Sequence, residues 1–275
     1  MTIRLTDKIK MELQKEKIIF ECTKGLNALK HYCLISGGKD SIASYYIAKE
    51  LVKIDGIIFI DTTIGLKETA DFVKSFAKEQ NIPLHVIRPK KTYEEYVKKY
   101  GFPHPNQHQQ TMIELKWKPM DRFVKDKLKE LGAKRHERIC LISGTRAKES
   151  ARRMKHASPI TIDPSNNRMF FFAPLYYWST PEVFAYKKEK GYKISPSYET
   201  LHLSGDCLCG AFAQKGEAEM IALFYPDMAD YIAHLEKVAN KDHKGSNGWG
   251  NGSTMKGAKS QKRIEGFICA DCEIK

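Results

Sequence analysis

The sequence predicts an α/β protein: a parallel, twisted sheet with helices on both faces, followed by a C-terminal helical extension that carries cysteines. Three observations carry this. From His31 onward, short apolar runs of strand length alternate with stretches of helical pattern, the arrangement that builds a parallel sheet with covering helices. Two of those apolar runs end in a Ser-Gly turn, at Ser36-Gly37 and at Ser143-Gly144. After Asp206 the chain changes character, with Cys207-Leu-Cys209, a long helical pattern and a glycine-rich stretch. The expected organisation is an N-terminal helical segment over 1–30, a nucleotide-binding α/β domain over 31–205 and an extension over 206–275.

The first thirty residues read as one or two charged amphipathic helices, a lid or brace with Ile3, Ile9, Leu13 and Ile18 as apolar contacts. Tyr32 to Ile35 then make a strand, Ser36 to Ser41 a tight turn, and Ile42 to Lys53 a helix. Ile57 to Ile60 form the second strand, ending in Asp61-Thr62-Thr63, and Leu66 to Gln80 the next helix. Leu84 to Ile87 is a third strand. Helices are expected over Tyr93 to Tyr100 and Met112 to Leu131, around a loop at 101–108. Ile139 to Ile142 make a strand, and Phe170 to Leu175 the last one. Ser179 or Thr180 caps a helix with Pro181 in its first turn. A helix over Glu217 to Ala239 should break or restart near Pro226. Gly245 to Gly257, with five glycines and few apolar residues, reads as a flexible loop.

Composition limits the function classes. The 275 residues are 42% hydrophobic, enough for one substantial core with a smaller appended unit. No stretch approaches the ~20 uncharged apolar residues of a membrane span, and the N-terminus lacks a signal-peptide run, so a cytoplasmic protein with no membrane partner is expected. Forty-six basic residues face 33 acidic ones, a net charge of +13. The excess is concentrated: residues 116–155 hold fourteen basic and five acidic residues, and 237–263 hold seven and one. Such clustering suits a phosphate-rich partner, a tRNA or DNA substrate among them, because neutralising phosphates releases condensed counterions. It equally suits a solvated surface that maintains solubility.

The turn Ser36-Gly37-Gly38-Lys39-Asp40-Ser41 carries the strongest chemistry. Between strand and helix, its glycines let backbone N–H groups approach phosphate oxygens, and the helix N-terminus adds partial positive charge. Ser36 and Ser41 supply hydroxyls and Lys39 a cation. Asp40 would be repelled by phosphate unless it bound a divalent cation, so it suggests Mg²⁺. The Walker A spacing is absent.

This turn resembles the PP-loop signature of the adenine nucleotide α-hydrolase-like superfamily. Asp61-Thr-Thr63, Gly144-Thr-Arg-Ala-Lys-Glu-Ser150 with Arg152-Arg153, and Ala173 to Trp178 before the capped helix resemble the phosphoadenosine phosphosulfate (PAPS) reductase branch. The resemblance spans about His31 to Gly210. It implies that residues 36–41 hold the pyrophosphate part of ATP and that Asp61 lies near the adenosine. Gly144, Arg146, Arg152 and Arg153 would face the nucleotide phosphates or an anionic substrate, with Lys39, Asp40 and Arg146 in catalytic roles. A surface helix face is the alternative reading of the paired arginines.

The sequence departs from a reductase of sulfonucleotides. Those enzymes attack sulfur with a cysteine in a C-terminal Glu-Cys-Gly-Leu-His segment, which this chain lacks. The stretch Met112 to Pro119 also lacks the adjacent cysteines of the iron–sulfur adenylyl sulfate reductases. The complete loop with Asp40 instead favours ATP cleaved between its α and β phosphates, an acceptor being adenylated before a sulfur or nitrogen nucleophile displaces AMP. A sulfur or electron donor protein would then be a partner. Two alternatives stay open: a sulfonucleotide reductase that uses Cys269 or Cys272, and a nucleotide-gated nucleic-acid-binding module without turnover.

Seven cysteines in a reducing compartment point to metal or redox chemistry rather than structural disulfides. Cys207-x-Cys209 and Cys269-x-x-Cys272 can place four thiolates on one Zn²⁺ or one [4Fe–4S] cluster, clipping the tail back onto the body. A redox pair at Cys269 and Cys272 is the other possibility. Cys22, Cys33 and Cys140 read as small core residues. His104 and His108 read as surface loop histidines, with a substrate-facing position as the alternative.

Overall fold

The computed structural model describes residues 5–149, 158–242 and 248–252. Arg152, Arg153, Cys269 and Cys272 lie outside them.

Six strands form one sheet: β1 (Ala28–Leu34), β2 (Gly56–Ile60), β3 (Leu84–Ile87), β4 (Arg138–Ile142), β5 (Ile160–Ile162) and β6 (Met169–Phe172), in the spatial order β3-β2-β1-β4-β6-β5. All neighbours run parallel except β5, which pairs antiparallel with β6. The three residues of β5 were too few for any periodicity to reveal; they close one edge of the sheet. The strand order reverses between β1 and β4, and both of those strands end in the Ser-Gly turns.

The strands are apolar on both faces because both faces are covered. Cys33, Ile57, Phe59, Cys140 and Ile142 point into one cluster with α2 (Lys39–Leu51), α3 (Lys67–Glu79) and α7 (Thr180–Lys190). Tyr32, Ile58, Ile139 and Leu141 point into another, under Met120, Val124 and Leu128 of α6 (Lys118–Glu130). Alternation of successive side chains thus produces two cores from one run of residues. Cys33 and Cys140 are core residues as expected, but Cys22, just beyond α1 (Leu5–Glu21), is exposed.

A third cluster belongs to the C-terminal part. It joins α8 (Glu217–Phe224) and α9 (Pro226–Asp242) to Tyr93, Tyr96 and Val97 of α4 (Tyr93–Tyr100), to Leu115 and to Ile64. Pro226 does restart the helix. The apolar core therefore crosses the expected boundary at 205, because α4 presents to the extension a face that the sheet leaves uncovered. Within the glycine-rich stretch expected to be a flexible loop, Trp249 is fully buried instead. Its indole N–H donates to the Leu208 carbonyl (2.7 Å), and its ring lies where a Cβ on Gly210 would meet it at 2.8 Å. Trp249→Ala should cost about 3–5 kcal/mol, read as a lowered midpoint of denaturant unfolding; an unchanged midpoint would show that the indole holds nothing in place.

The helix expected over Met112 to Leu131 is longer and irregular. It runs as α5 (His108–Met112), a π-helical turn at Ile113–Trp117 and then α6. A π-turn inserts a residue into the helix and re-aims the side chains around it.

Helix α1 braces the sheet's first face partly through the expected side chains, Ile9 and the partly buried Leu13. Ile9 and Phe20 are buried, but Ile18 is 68% exposed, and Glu12 and Glu16 occupy the inward positions between them. Glu16 is wholly buried, and neither carboxylate oxygen has a well-formed hydrogen bond among the described residues. Burial, with the neighbouring Glu12 carboxylate adding to it, pushes the Glu16 pKa from about 4.5 up to about 8, and the Trp178 indole offsets this only in part. Between those values the unfolded chain releases a proton that the folded chain keeps, so folding weakens as pH climbs from 4.5 towards 8. Glu16→Gln should remove the penalty: the variant melts close to wild type at pH 5 and several degrees higher at pH 8.5. A gap of equal size at both pH values would refute this.

Candidate nucleotide site

The cleft opens at the carboxyl ends of β1 and β4, where strand order reverses and α/β sheets hold their ligands. Its volume is about 440 Å³, and it is lined by Ser36, Gly38, Lys39, Asp40 and Ser41 from the first turn and by Ser143, Gly144 and Thr145 from the second. Ile58 and Ile60 give it an apolar floor, and Tyr198, His202, Ser204, Asp206 and Lys116 supply the far wall.

The first turn is held in shape by its own hydroxyls. The Ser41 hydroxyl donates to the Gly38 carbonyl (2.9 Å) and accepts from the Ser36 N–H and the Ser36 hydroxyl (3.2 Å each). Both serines therefore hold the loop in shape while lining the cleft. Gly37 sits at φ +84°, in the left-handed region, and its carbonyl accepts the Ser195 N–H at 2.8 Å. What faces the cleft is the first turn of α2, whose amides lack partners within the helix and present the positive end of its dipole.

Gly144 fixes the distance between the two turns. A Cβ there would lie 2.6 Å from the Asp40 carbonyl carbon and 2.7 Å from the Ser41 nitrogen, so the β4 turn rests directly on the backbone of the loop.

Asp40 is neutralised from behind. Arg146, 3% exposed, sets its Nε 2.8 Å from one Asp40 oxygen and a terminal nitrogen 3.4 Å from the other, while donating to the Trp178 carbonyl. Lys39 approaches the same carboxylate at 3.3 Å and lies over the Tyr198 ring. The electrostatic problem that suggested Mg²⁺ thus has a protein solution in this arrangement, a guanidinium counterion. Arg146 is a residue that positions Asp40 and does not line the cleft. Asp61 likewise turns elsewhere: its carboxylate accepts the Thr63 N–H (2.9 Å) and pairs with Arg88 (2.7 Å).

The far wall was not visible in the sequence. The π-turn aims Lys116 into the cleft, where it pairs with Asp206 at 2.6 Å, ninety residues away. Burial opposes the Lys116 charge, but the Asp206 carboxylate overcomes it and holds the pKa above the ordinary lysine value. Burial likewise works against the Asp206 carboxylate, yet Lys116 and the Ser204 hydroxyl keep its pKa below the usual range. The strap carrying Asp206 is pinned to the β2 loop. The Gly205 carbonyl accepts the Leu66 N–H, the Asp206 carbonyl accepts the Thr62 hydroxyl, and the Leu208 N–H donates to the Ile64 carbonyl, each at 2.8 Å.

Cys207 and Cys209 follow on the same strap. The Cys209 thiol hydrogen-bonds to Cys207, which lowers the Cys207 pKa against the opposing effect of burial, helped by Lys116; that bond and burial raise Cys209. The pair thus keeps one sulfur anionic more readily than an isolated cysteine, as a thiolate metal ligand requires. Among the described residues no group of three or more His, Cys, Asp or Glu is placed to hold a metal. Neither His104 nor His108 lines the cleft; the His108 ring packs on Phe212.

Known proteins share this fold. A model of the phosphoadenosine phosphosulfate reductase domain matches residues 30–209. An uncharacterised protein of Methanocaldococcus jannaschii is 30% identical over 160 residues, which are 57% of this chain and 36% of that protein. The chain spans less than half the length of the curated relatives it matches. Among solved structures, the FMN adenylyltransferase of Candida glabrata, in complex with FMN and an ATP analogue, is similar with a TM-score of 0.52 and 15% identity, over 73% of this chain and 65% of that one. The PAPS reductase of Candida auris, as a phosphate complex, gives 0.46 and 20%, over 72% and 93%. No described helix is long and apolar enough to cross a membrane.

Proposed function

The chain belongs to the phosphoadenosine phosphosulfate reductase domain family, and on that premise we propose that it uses ATP to adenylate an acceptor, releasing pyrophosphate. An acceptor oxygen attacks the α-phosphorus and loses its proton. The bond from that phosphorus to the bridging oxygen breaks, and pyrophosphate leaves with the electron pair. A sulfur or nitrogen nucleophile then displaces AMP, which makes sulfur transfer or nucleic-acid modification the outcome.

The observation that carries this reading is the complete loop at the β1–β4 switch point, with α2 amides and Lys39 facing a cleft floored by Ile58 and Ile60. The amides and Lys39 would hold the leaving pyrophosphate, and the apolar floor would take the adenine ring. Lys116 on the opposite wall adds a second cation where negative charge builds up. Asp40 and Asp206 are the carboxylates in the cleft, and each already has a cationic partner. Mg²⁺ at such sites takes one or two carboxylates together with substrate phosphates, so Asp40 would be the residue to hold it beside a bound nucleotide, and no step is routed through it. Cys207 and Cys209 offer half of a four-thiolate site for Zn²⁺ or [4Fe–4S], with Cys269 and Cys272 as the proposed other half.

The test is the product set. With ATP and candidate RNA, DNA or small acceptors, AMP and pyrophosphate should appear in equal amounts, and Lys39→Ala should slow their formation about 100-fold without unfolding the protein. Formation of ADP and phosphate would sink the reading. Sulfite release from PAPS with a dithiol reductant, in the absence of ATP cleavage, would replace it with the reductase reading.

A further inference from the structure

A second cavity, of about 670 Å³, lies between α4 and the helix that contains the π-turn. It shares that turn with the nucleotide cleft: Lys116 lines the cleft, while Glu114, Leu115 and Lys118 line the groove. We propose that this groove binds single-stranded nucleic acid, guiding it towards the nucleotide cleft across the π-turn. The destination rests on the adenylation reading; the binding itself does not.

Charge carries the first part. Six basic residues line the groove against four acidic ones, Glu95, Glu114, Asp121 and Asp126, and three of the four carboxylates are engaged, Glu114 by Lys118 (2.6 Å), Asp121 by Lys125 (2.7 Å), and Glu95 in capping the start of α4. Lys90, Lys91 and Lys99 are exposed and have no carboxylate within ion-pairing distance among the described residues. They remain available to a row of phosphates. The second part is an aromatic surface. Tyr100 is 46% exposed at the end of α4, with the Lys99 ammonium 4.7 Å from its ring centroid. A base can stack on such a ring beside a cation, as single-strand binding surfaces use them. A duplex keeps its bases inside and cannot use the ring in this way, which is why the proposal is limited to single strands. An acidic polypeptide would use the lysines but not Tyr100.

The test uses the full chain and fluorescent oligonucleotides of mixed sequence, single-stranded RNA and DNA, with duplex DNA of equal length and polyglutamate as competitors. Single strands should bind, with affinity falling steeply as salt rises. Lys90→Glu/Lys91→Glu should weaken that binding at least tenfold, and Tyr100→Ala about fivefold or more. ATP binding to the cleft, measured in the same variants, should stay at wild-type strength, which also reports that they fold. If the lysine variant binds oligonucleotide as wild type does, the proposal is overturned. It is equally overturned if polyglutamate competes as well as single strands and Tyr100→Ala is silent, which gives the groove to an acidic protein. Groove-dependent binding with no AMP formation would leave the groove standing and remove the adenylation reading. AMP formation unaffected by the loss of groove binding would leave the groove and the adenylation reading standing and overturn the delivery of the strand to the cleft.

Discussion

Gly144→Ala should weaken ATP binding about 100-fold or more and abolish pyrophosphate release, although it adds a single methyl group. The added carbon would sit 2.6 Å from the Asp40 carbonyl carbon and 2.7 Å from the Ser41 nitrogen. Those are backbone atoms in the first turn of α2, so no side chain can rotate away. Either the loop lifts or the β4 turn retreats, and each opens the distance that the phosphate site depends on. Overpacking of this kind costs about 1–3 kcal/mol of stability, so the protein should still fold while the site fails. Gly25→Ala is the matched control, because nothing lies within 4 Å of its added carbon. Calorimetric titration with ATP checks both. Wild-type affinity in the Gly144 variant would mean that the two turns do not form one site.

Arg146→Met should destabilise the protein by about 3–5 kcal/mol, since it strands the Asp40 carboxylate beside a buried apolar side chain. Lys39, 3.3 Å from the same carboxylate, offsets part of the loss but sits nearer solvent. The double variant Asp40→Asn/Arg146→Met removes both charges and should recover most of the stability. It should not recover AMP formation, because the order of the loop around a charged Asp40 is then gone. Denaturant unfolding of the four proteins of the cycle gives the coupling. Additive effects of the two substitutions would show that the 2.8 Å approach contributes nothing.

The parts of this molecule that follow from neighbouring residues were readable in its sequence. Tyr32 to Leu34, Ile57 to Ile60 and Ile139 to Ile142 are unbroken apolar runs, and the loop at 36–41 has its glycines where the backbone must turn. The parts that depend on distant residues meeting were not. Nothing near Lys116 indicates Asp206, and nothing near Asp40 indicates that a buried Arg146 will neutralise it. The carboxylate of Asp40 beside phosphates points to Mg²⁺ from the loop alone, and the loop alone gives no sign of the second cation, Arg146, that pairs with the same carboxylate. Glu12 and Glu16 defeat the amphipathic reading of α1 differently: the inward face is present at helical spacing, but carboxylates occupy part of it. Trp249 shows the opposite failure, a glycine-rich stretch anchored by one aromatic ring.

The strap from Gly205 to Cys209 places Asp206 in the wall of the nucleotide cleft and the two thiols directly after it. With its backbone bonded to the β2 loop on either side of Gly65, it has little freedom to respond at one end alone. Any coupling between its two ends is then necessarily symmetrical. If tying the two thiols together changes the affinity for nucleotide tenfold, about 1.4 kcal/mol, nucleotide must change the affinity of the thiols for whatever ties them by the same factor. Occupancy of the cleft and the state of the sulfurs are then two readings of one equilibrium, and either can serve as the sensor of the other.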